Sequence, residues 1–136
     1  MRYWIVKTEP STYSWETFEK EKSTFWNGVR NYQARNNMRL MKKGDMVLFY
    51  HSGDERQIVG IAKVTKEAYP DHTAKDPQWC MVDISYVKPL KKPVTLTQVK
   101  LVPELKDMKL VKQGRLSVAE VSEKEFQMVL SLGETK

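Results

Sequence analysis

Arg2 to Lys7 reads as a strand ended by Pro10, with Tyr3, Ile5 and Lys7 pointing one way and Trp4, Val6 and Thr8 the other. Lys7 and Glu9 then emerge together at the strand's end. There they either line the mouth of a barrel as a polar pair or form a surface ion pair worth little in stability. Ser14 is placed to cap a short acidic helix over Trp15 to Lys22, with Glu16 near its positive end and Trp15 and Phe18 toward the core. From Tyr32 the period becomes helical: Ala34, Met38 and Met41 form an apolar stripe, and Arg35, Arg39 and Lys42 repeat one residue over. Lys43-Gly44-Asp45 is a turn, and the run from Asp45 to Tyr50 is apolar with little alternation. Such a strand is covered on both faces and belongs in the middle of a closed or wrapped sheet.

At that strand's end Phe49, Tyr50, His51 and Ser52 run into a polar loop, Gly53 to Gln57. Ile58 to Lys66 reads as the next strand, whose Ile58, Gly60, Ala62 and Val64 form a face small enough for something to pack close. A long loop, Ala68 to Gln78, precedes a strand from Trp79 to Val87, with Cys80, Val82, Ile84 and Tyr86 inward and Asp83 and Ser85 outward. Past Pro93 the pattern shortens: Val94 to Leu96 extended, Thr97 to Val102 helical, and a further helical turn or two from Pro103 to Lys109. Lys112 to Ser117 is a glycine-hinged basic turn, Val118 to Val121 a last strand, and Ser122 with Glu125 a capping box for a closing helix that stops at Gly133.

The 136 residues, 40% of them hydrophobic, make one domain with one core, residues 1–136. A single cysteine, Cys80, excludes an internal disulfide and a multi-cysteine zinc site, and with only two histidines no metal or other cofactor is expected. Cys80 itself reads as a small core residue. The N-terminal apolar stretch is broken by charge after a few residues, so neither a signal peptide nor a membrane span is expected. That predicts a soluble, intracellular, cytoplasmic protein, taken here as a monomer. Lys and Arg total 23 against 17 Asp and Glu, a net charge of +6 that leans toward polyanionic partners. The cations gather at Arg30 to Lys43, at Lys88, Lys91 and Lys92, and at Lys106 to Arg115, three groups that folding can merge into one face.

The chemistry concentrates in Trp26-Asn27-Gly28-Val29-Arg30-Asn31-Tyr32-Gln33-Ala34-Arg35-Asn36, where an aromatic, a glycine turn, two arginines and amides sit together. Asn27-Gly28 favours a positive φ, a sharp turn and exposed N–H groups beside the Trp26 ring, a combination suited to a planar, hydrogen-bonding guest. Asn27 and Asn31 both donate and accept, ionised Glu9 accepts from an exocyclic amine, and Trp79 adds to the pocket wall. Arg35, Arg39 and Lys42 would hold phosphates without reading sequence. The competing interpretation is a buried Trp, a tight turn and an ordinary amphipathic helix with a solvated face.

Together with Trp4, Lys7-Thr8-Glu9-Pro10, Phe49-Tyr50-His51-Ser52, Ala68-Tyr69-Pro70-Asp71 and Gln113-Gly114-Arg115-Leu116-Ser117, this stretch resembles the EVE domain family over essentially the whole chain. The resemblance implies an α+β fold of the PUA-like group, a curled, mostly antiparallel β-barrel with flanking helices. It implies a non-catalytic nucleic-acid-binding module that recognises a modified base, 5-methylcytosine or 5-hydroxymethylcytosine, turned out into an aromatic pocket. By motif match the pocket would be Trp26, Asn27, Tyr32, Tyr50, His51 and Ser52, with Lys7, Glu9, Arg30 and Arg115 at its rim. The partner the resemblance implies is DNA or RNA carrying the modified base. Two alternatives stand beside it: modified tRNA or rRNA as the ligand, and an amidohydrolase resembling the ASCH family that acts on acylated cytidine through a Lys, a Thr and a Glu. Strand alternation sends Thr8 away from Lys7 and Glu9, which argues against a Thr nucleophile with a Lys base.

Overall fold

The apolar run around Leu48 becomes β3 (Met46–His51), in a computed structural model that describes residues 1–136. β1 (Tyr3–Thr8) runs parallel to it on one side, with Ile5 opposite Leu48, and β4 (Gln57–Pro70) antiparallel on the other, with Ile61 opposite Leu48. Val47, Leu48 and Phe49 have no exposed surface, which is what a strand without alternation requires. Outward from this centre lie β5 (Cys80–Thr95) and then β2 (Ser23–Trp26) beyond β4, and β6 (Val118–Val121) beyond β1. The order is therefore β2-β5-β4-β3-β1-β6, with β1 and β3 the one parallel pair. Five helices accompany it: α1 (Trp15–Glu21), α2 (Tyr32–Leu40), α3 (Leu96–Leu101), α4 (Lys109–Lys112) and α5 (Glu123–Leu132).

The expected barrel is not closed. β2 and β6 end the order, and no ladder joins them. Both have only four residues, and α2 packs against β4, β5 and β6. Its Asn37 amide donates to the Val118 carbonyl at 2.8 Å, so a helix side chain satisfies part of the β6 edge that a neighbouring strand would otherwise pair.

β4 and β5 run further than their periodicity suggests, to Pro70 and Thr95, which shortens the expected long loop to Asp71–Trp79. Alternation hides their length because the ladder shifts register four times, between Ile58/Gly60, Ile61/Ala62, Val64/Lys66 and Lys66/Tyr69. Each shift bends the pair and swaps which residues face in. Pro89 lies opposite Gly60 at one of these interruptions, where a proline removes no regular ladder bond. The capping box of Ser122 and Glu125 forms on α5 as the spacing predicts.

The small-residue face of β4 has an occupant. A Cβ on Gly60 would lie 2.2 Å from the Trp15 ring, so only glycine admits the indole there. Trp15 also meets Phe49 at 5.0 Å and Tyr86 at 4.8 Å between ring centroids, while its own indole N–H finds no acceptor. The His51 Nε2 accepts the Trp15 backbone N–H at 3.0 Å, satisfying a donor at the start of α1 that the helix itself leaves free. α1 is thus fixed to the sheet at both side chain and backbone, which sets the positions of Tyr13 just before it and Glu21 at its end.

Candidate nucleic-acid interface

β2 pairs with β5 so that Phe25 faces Asp83 and Trp26 faces Val82. Because side chains alternate, the two aromatics point apart. Trp26 is 8% exposed and meets Phe49 and Tyr13 edge-on, at 5.6 and 6.2 Å, whereas Phe25 is 45% exposed. After Trp26 the chain turns at Gly28, whose φ of +79° is the left-handed conformation that the Asn-Gly pair predicts. Asn31 then caps α2, its side-chain oxygen accepting the Ala34 N–H at 2.9 Å.

The turn is held from across the molecule by Asp71. One carboxylate oxygen accepts the Gly28 N–H at 2.8 Å and Arg30 Nη1 at 3.1 Å, and the other accepts the Thr73 N–H at 2.7 Å and hydroxyl at 2.5 Å. Burial alone would raise this carboxyl, but the Thr73 hydroxyl, the two backbone N–H groups and the Arg30 guanidinium outweigh it and hold the value at about 2.

A cavity of about 820 Å³ opens beside this turn. Tyr13, Phe25 and Trp26 give it aromatic surface, Lys7 and Arg30 cationic groups, and Glu21 and Asp83 carboxylates. Each carboxylate is fixed by a tyrosine: Tyr13 donates to Glu21 at 2.6 Å and Tyr69 donates to Asp83 at 2.5 Å. Burial, reinforced by those carboxylates, pushes both phenols up to about 12, so both remain donors at neutral pH. No other hydrogen bond engages Glu21 Oε2 or Asp83 Oδ2, which leaves acceptors for a ligand's N–H. Burial lowers the Lys7 ammonium, which donates to the Gly114 carbonyl at 2.9 Å.

Trp26, Asn27, Lys7 and Arg30 line this cavity. Tyr50 and His51 do not; they are buried in the sheet, with the His51 ring held between the Trp15 N–H and Glu55 Oε1, the latter 2.9 Å from Nδ1. Ser52 extends the β1 ladder through its N–H to the Thr8 carbonyl, and Glu9 lies against Gly53, neither on the wall. Asn31 is spent on capping α2, and Arg115 is exposed away from the wall. Tyr32 and Trp79 pair with each other outside the cavity, ring centroids 5.2 Å apart, alongside Arg35. Arg39 and Lys42 border a second, basic hollow of about 520 Å³ with Arg2 and Lys43.

Thr8, the last residue of β1, also borders the cavity, although the ladder stays regular through it, with Lys7 opposite Tyr50 and Thr8 opposite His51. Phe25, Tyr13, Glu21 and Asp83 line the cavity without having been singled out, and Asp71, quoted above only within a longer motif, holds its turn. Ser23 to Trp26 does alternate as a short strand, a signal masked by the Asn-Gly turn beside it. Asp83 points outward as its strand predicts, but outward is into the cavity. Cys80 is buried, and burial raises its thiol pKa, so it remains a core residue. No group of three or more His, Cys, Asp or Glu side chains is placed to hold a metal ion, and no helix is long and apolar enough to cross a membrane.

The sequence profile of the EVE domain matches residues 2–132. The chain belongs to the EVE domain family. This EVE domain is 39% identical to thymocyte nuclear protein 1 of Gallus gallus over 98% of the chain and 69% of that protein. Among solved structures, protein Atu2648 from Agrobacterium tumefaciens superposes with a TM-score of 0.95 at 46% identity, covering 99% of this chain and 94% of that one. The human THYN1 protein in complex with 5-methylcytosine-containing DNA superposes with a TM-score of 0.93 at 35% identity, covering 100% of this EVE domain and 99% of that chain.

Proposed function

We propose that this EVE domain is a non-catalytic, PUA-like module that takes a modified cytosine, turned out of a DNA strand, into the cavity beside Trp26. The observation that carries the reading is the composition of the cavity lining: aromatic rings, two fixed carboxylates and two cations around a space of about 820 Å³. A base must leave its stack to enter, at a few kcal/mol. Stacking on an exposed ring returns roughly 1 to 3 kcal/mol, and Phe25 is the ring most open to it. The free oxygen of Asp83 accepts from the exocyclic amine that distinguishes cytosine from thymine, and the Asn27 amide can serve either edge. The likeness to a human protein bound to 5-methylcytosine-containing DNA supports the choice of base and of DNA.

A hydrolase is less well supported. The Lys7 ammonium is committed to Gly114, no hydrogen bond joins it to the Thr8 hydroxyl, and Glu9 stands off the cavity wall, so the three groups do not converge. Competition between matched DNA and RNA oligonucleotides, each with and without one methylated cytosine, tests the proposal. Tightest binding of methylated DNA is expected; tightest binding of the RNA would reassign the cavity to a modified RNA base.

A further inference from the structure

Outside the cavity, on the first turns of α2 and the end of the Asp71–Trp79 loop, lies an aromatic and guanidinium ledge. Tyr32 is 59% exposed and Trp79 half-buried, with their rings 5.2 Å apart and tilted by 30°. The Arg35 guanidinium sits 5.0 Å from the Tyr32 ring and 5.7 Å from that of Trp79. Its hydrogen bonds go only to neutral acceptors, Asn36 Oδ1 at 2.9 and 3.2 Å and Gln78 Oε1 at 2.9 Å. Arg39 likewise donates to the Gln78 carbonyl at 3.0 Å. Neither arginine is within ion-pair distance of a carboxylate; the nearby Asp76 is turned to Gln78, accepting its N–H at 3.0 Å and its amide at 2.6 Å. The guanidiniums are thus held in position with no direct ion pair to a carboxylate.

We infer that this ledge binds the nucleotide next to the base in the cavity, stacking its base on Tyr32 and drawing its phosphate to Arg35 and Arg39. The inference rests on the base-pocket reading and extends it to the neighbouring nucleotide. Arg30 joins the two places: it lines the cavity, and its guanidinium carbon is 5.8 Å from the Trp79 ring. A tyrosine serving only the fold would be covered, and a surface for an apolar partner would not carry two cations with no direct ion pair. An open ring flanked by fixed cations is what a single strand requires, because every base presents a π-face and every nucleotide a phosphate. An acidic protein surface would also answer to the arginines, but it would not need the ring.

The test measures fluorescence anisotropy with short single-stranded oligonucleotides containing one 5-methylcytosine, in which the 5′ or the 3′ neighbour is intact or abasic. Wild-type protein is expected to bind one of the two abasic oligonucleotides about tenfold more weakly than the intact one. Tyr32→Ala should bind the intact oligonucleotide about tenfold more weakly, ignore the abasic change and keep its preference for the methyl group, while Tyr32→Phe behaves as wild type. Wild-type indifference to both abasic neighbours, or wild-type affinity in Tyr32→Ala, would overturn the inference, and the second result would leave the ledge to an acidic protein. If the abasic effect holds but wild type shows no methyl preference, the base-pocket reading falls while the ledge stands.

Discussion

The Gly28 N–H donates to the Asp71 carboxylate at 2.8 Å across 43 residues of chain, and this bond fixes the turn that shapes the cavity. Asp71→Ala leaves that N–H and the Arg30 guanidinium without their shared acceptor, and a loss of about 3 kcal/mol is expected in urea unfolding. Asp71→Asn, which keeps an acceptor but no charge, should lose less. The pH dependence follows from the carboxyl's value of about 2, below its ordinary 3.8. A carboxyl depressed in the folded state adds stability above its unfolded value and forfeits it as pH falls through the folded one. Asp71 should therefore contribute on the order of 2 kcal/mol above about pH 5, a contribution that fades as pH is lowered toward 2.

Gly60 and Trp15 are equally specific to each other. Gly60→Ala places a methyl group 2.2 Å from the ring, so α1 must move or β4 must bend. The expected loss is about 2 kcal/mol in thermal or urea unfolding, with changed amide shifts at Tyr13 and Glu21 in NMR spectra as α1 is displaced. An unchanged midpoint would mean that Trp15 does not sit where the structure puts it.

His51 holds α1 to the sheet and does not line the cavity. With Nε2 accepting from Trp15, the proton belongs on Nδ1, facing Glu55. Nitrogen-15 shifts of the imidazole at neutral pH should report that tautomer. His51→Ala should cost about 1 to 3 kcal/mol and leave the preference between methylated and unmethylated cytosine unchanged.

Arg39 tests the electrostatic part of binding separately. It makes no ion pair and borders the basic hollow with Arg2, Lys42 and Lys43. Arg39→Ala is expected to weaken all oligonucleotides alike and to flatten the slope of log affinity against log salt by about 1. An effect confined to methylated DNA would place Arg39 in base reading instead.

What the sequence made legible were the features decided locally. The unbroken apolar run of Met46 to Tyr50 marks a central strand because covering both faces removes alternation, and Ser122 with Glu125 announces a helix start because the two groups satisfy each other's backbone. The small face around Gly60 was legible as a place of close approach, though not its partner. The closure of the sheet was not legible: it depends on whether β2 meets β6, and α2 lies against the strand edge instead. Nor were the clamp of Asp71 on Gly28 and the wall position of Asp83, since both depend on contacts tens of residues apart. Tyr50 and His51 illustrate the same limit. Their place at the end of a strand is local, but the curl of the sheet and the docking of α1 decide that they are buried rather than facing the cavity.

The most direct measurement is the ratio of dissociation constants for an oligonucleotide with and without one 5-methylcytosine, in wild type, Phe25→Ala and Arg39→Ala. Phe25 is the appropriate wall residue because it is half exposed on an edge strand, whereas truncating the core-packed Trp26 would remove about 3 to 5 kcal/mol of stability and obscure the result. A clear preference for the methylated base is expected in wild type and in Arg39→Ala, with its loss in Phe25→Ala. A preference of the same size in Phe25→Ala as in wild type would rule out this cavity as the place where the base is read.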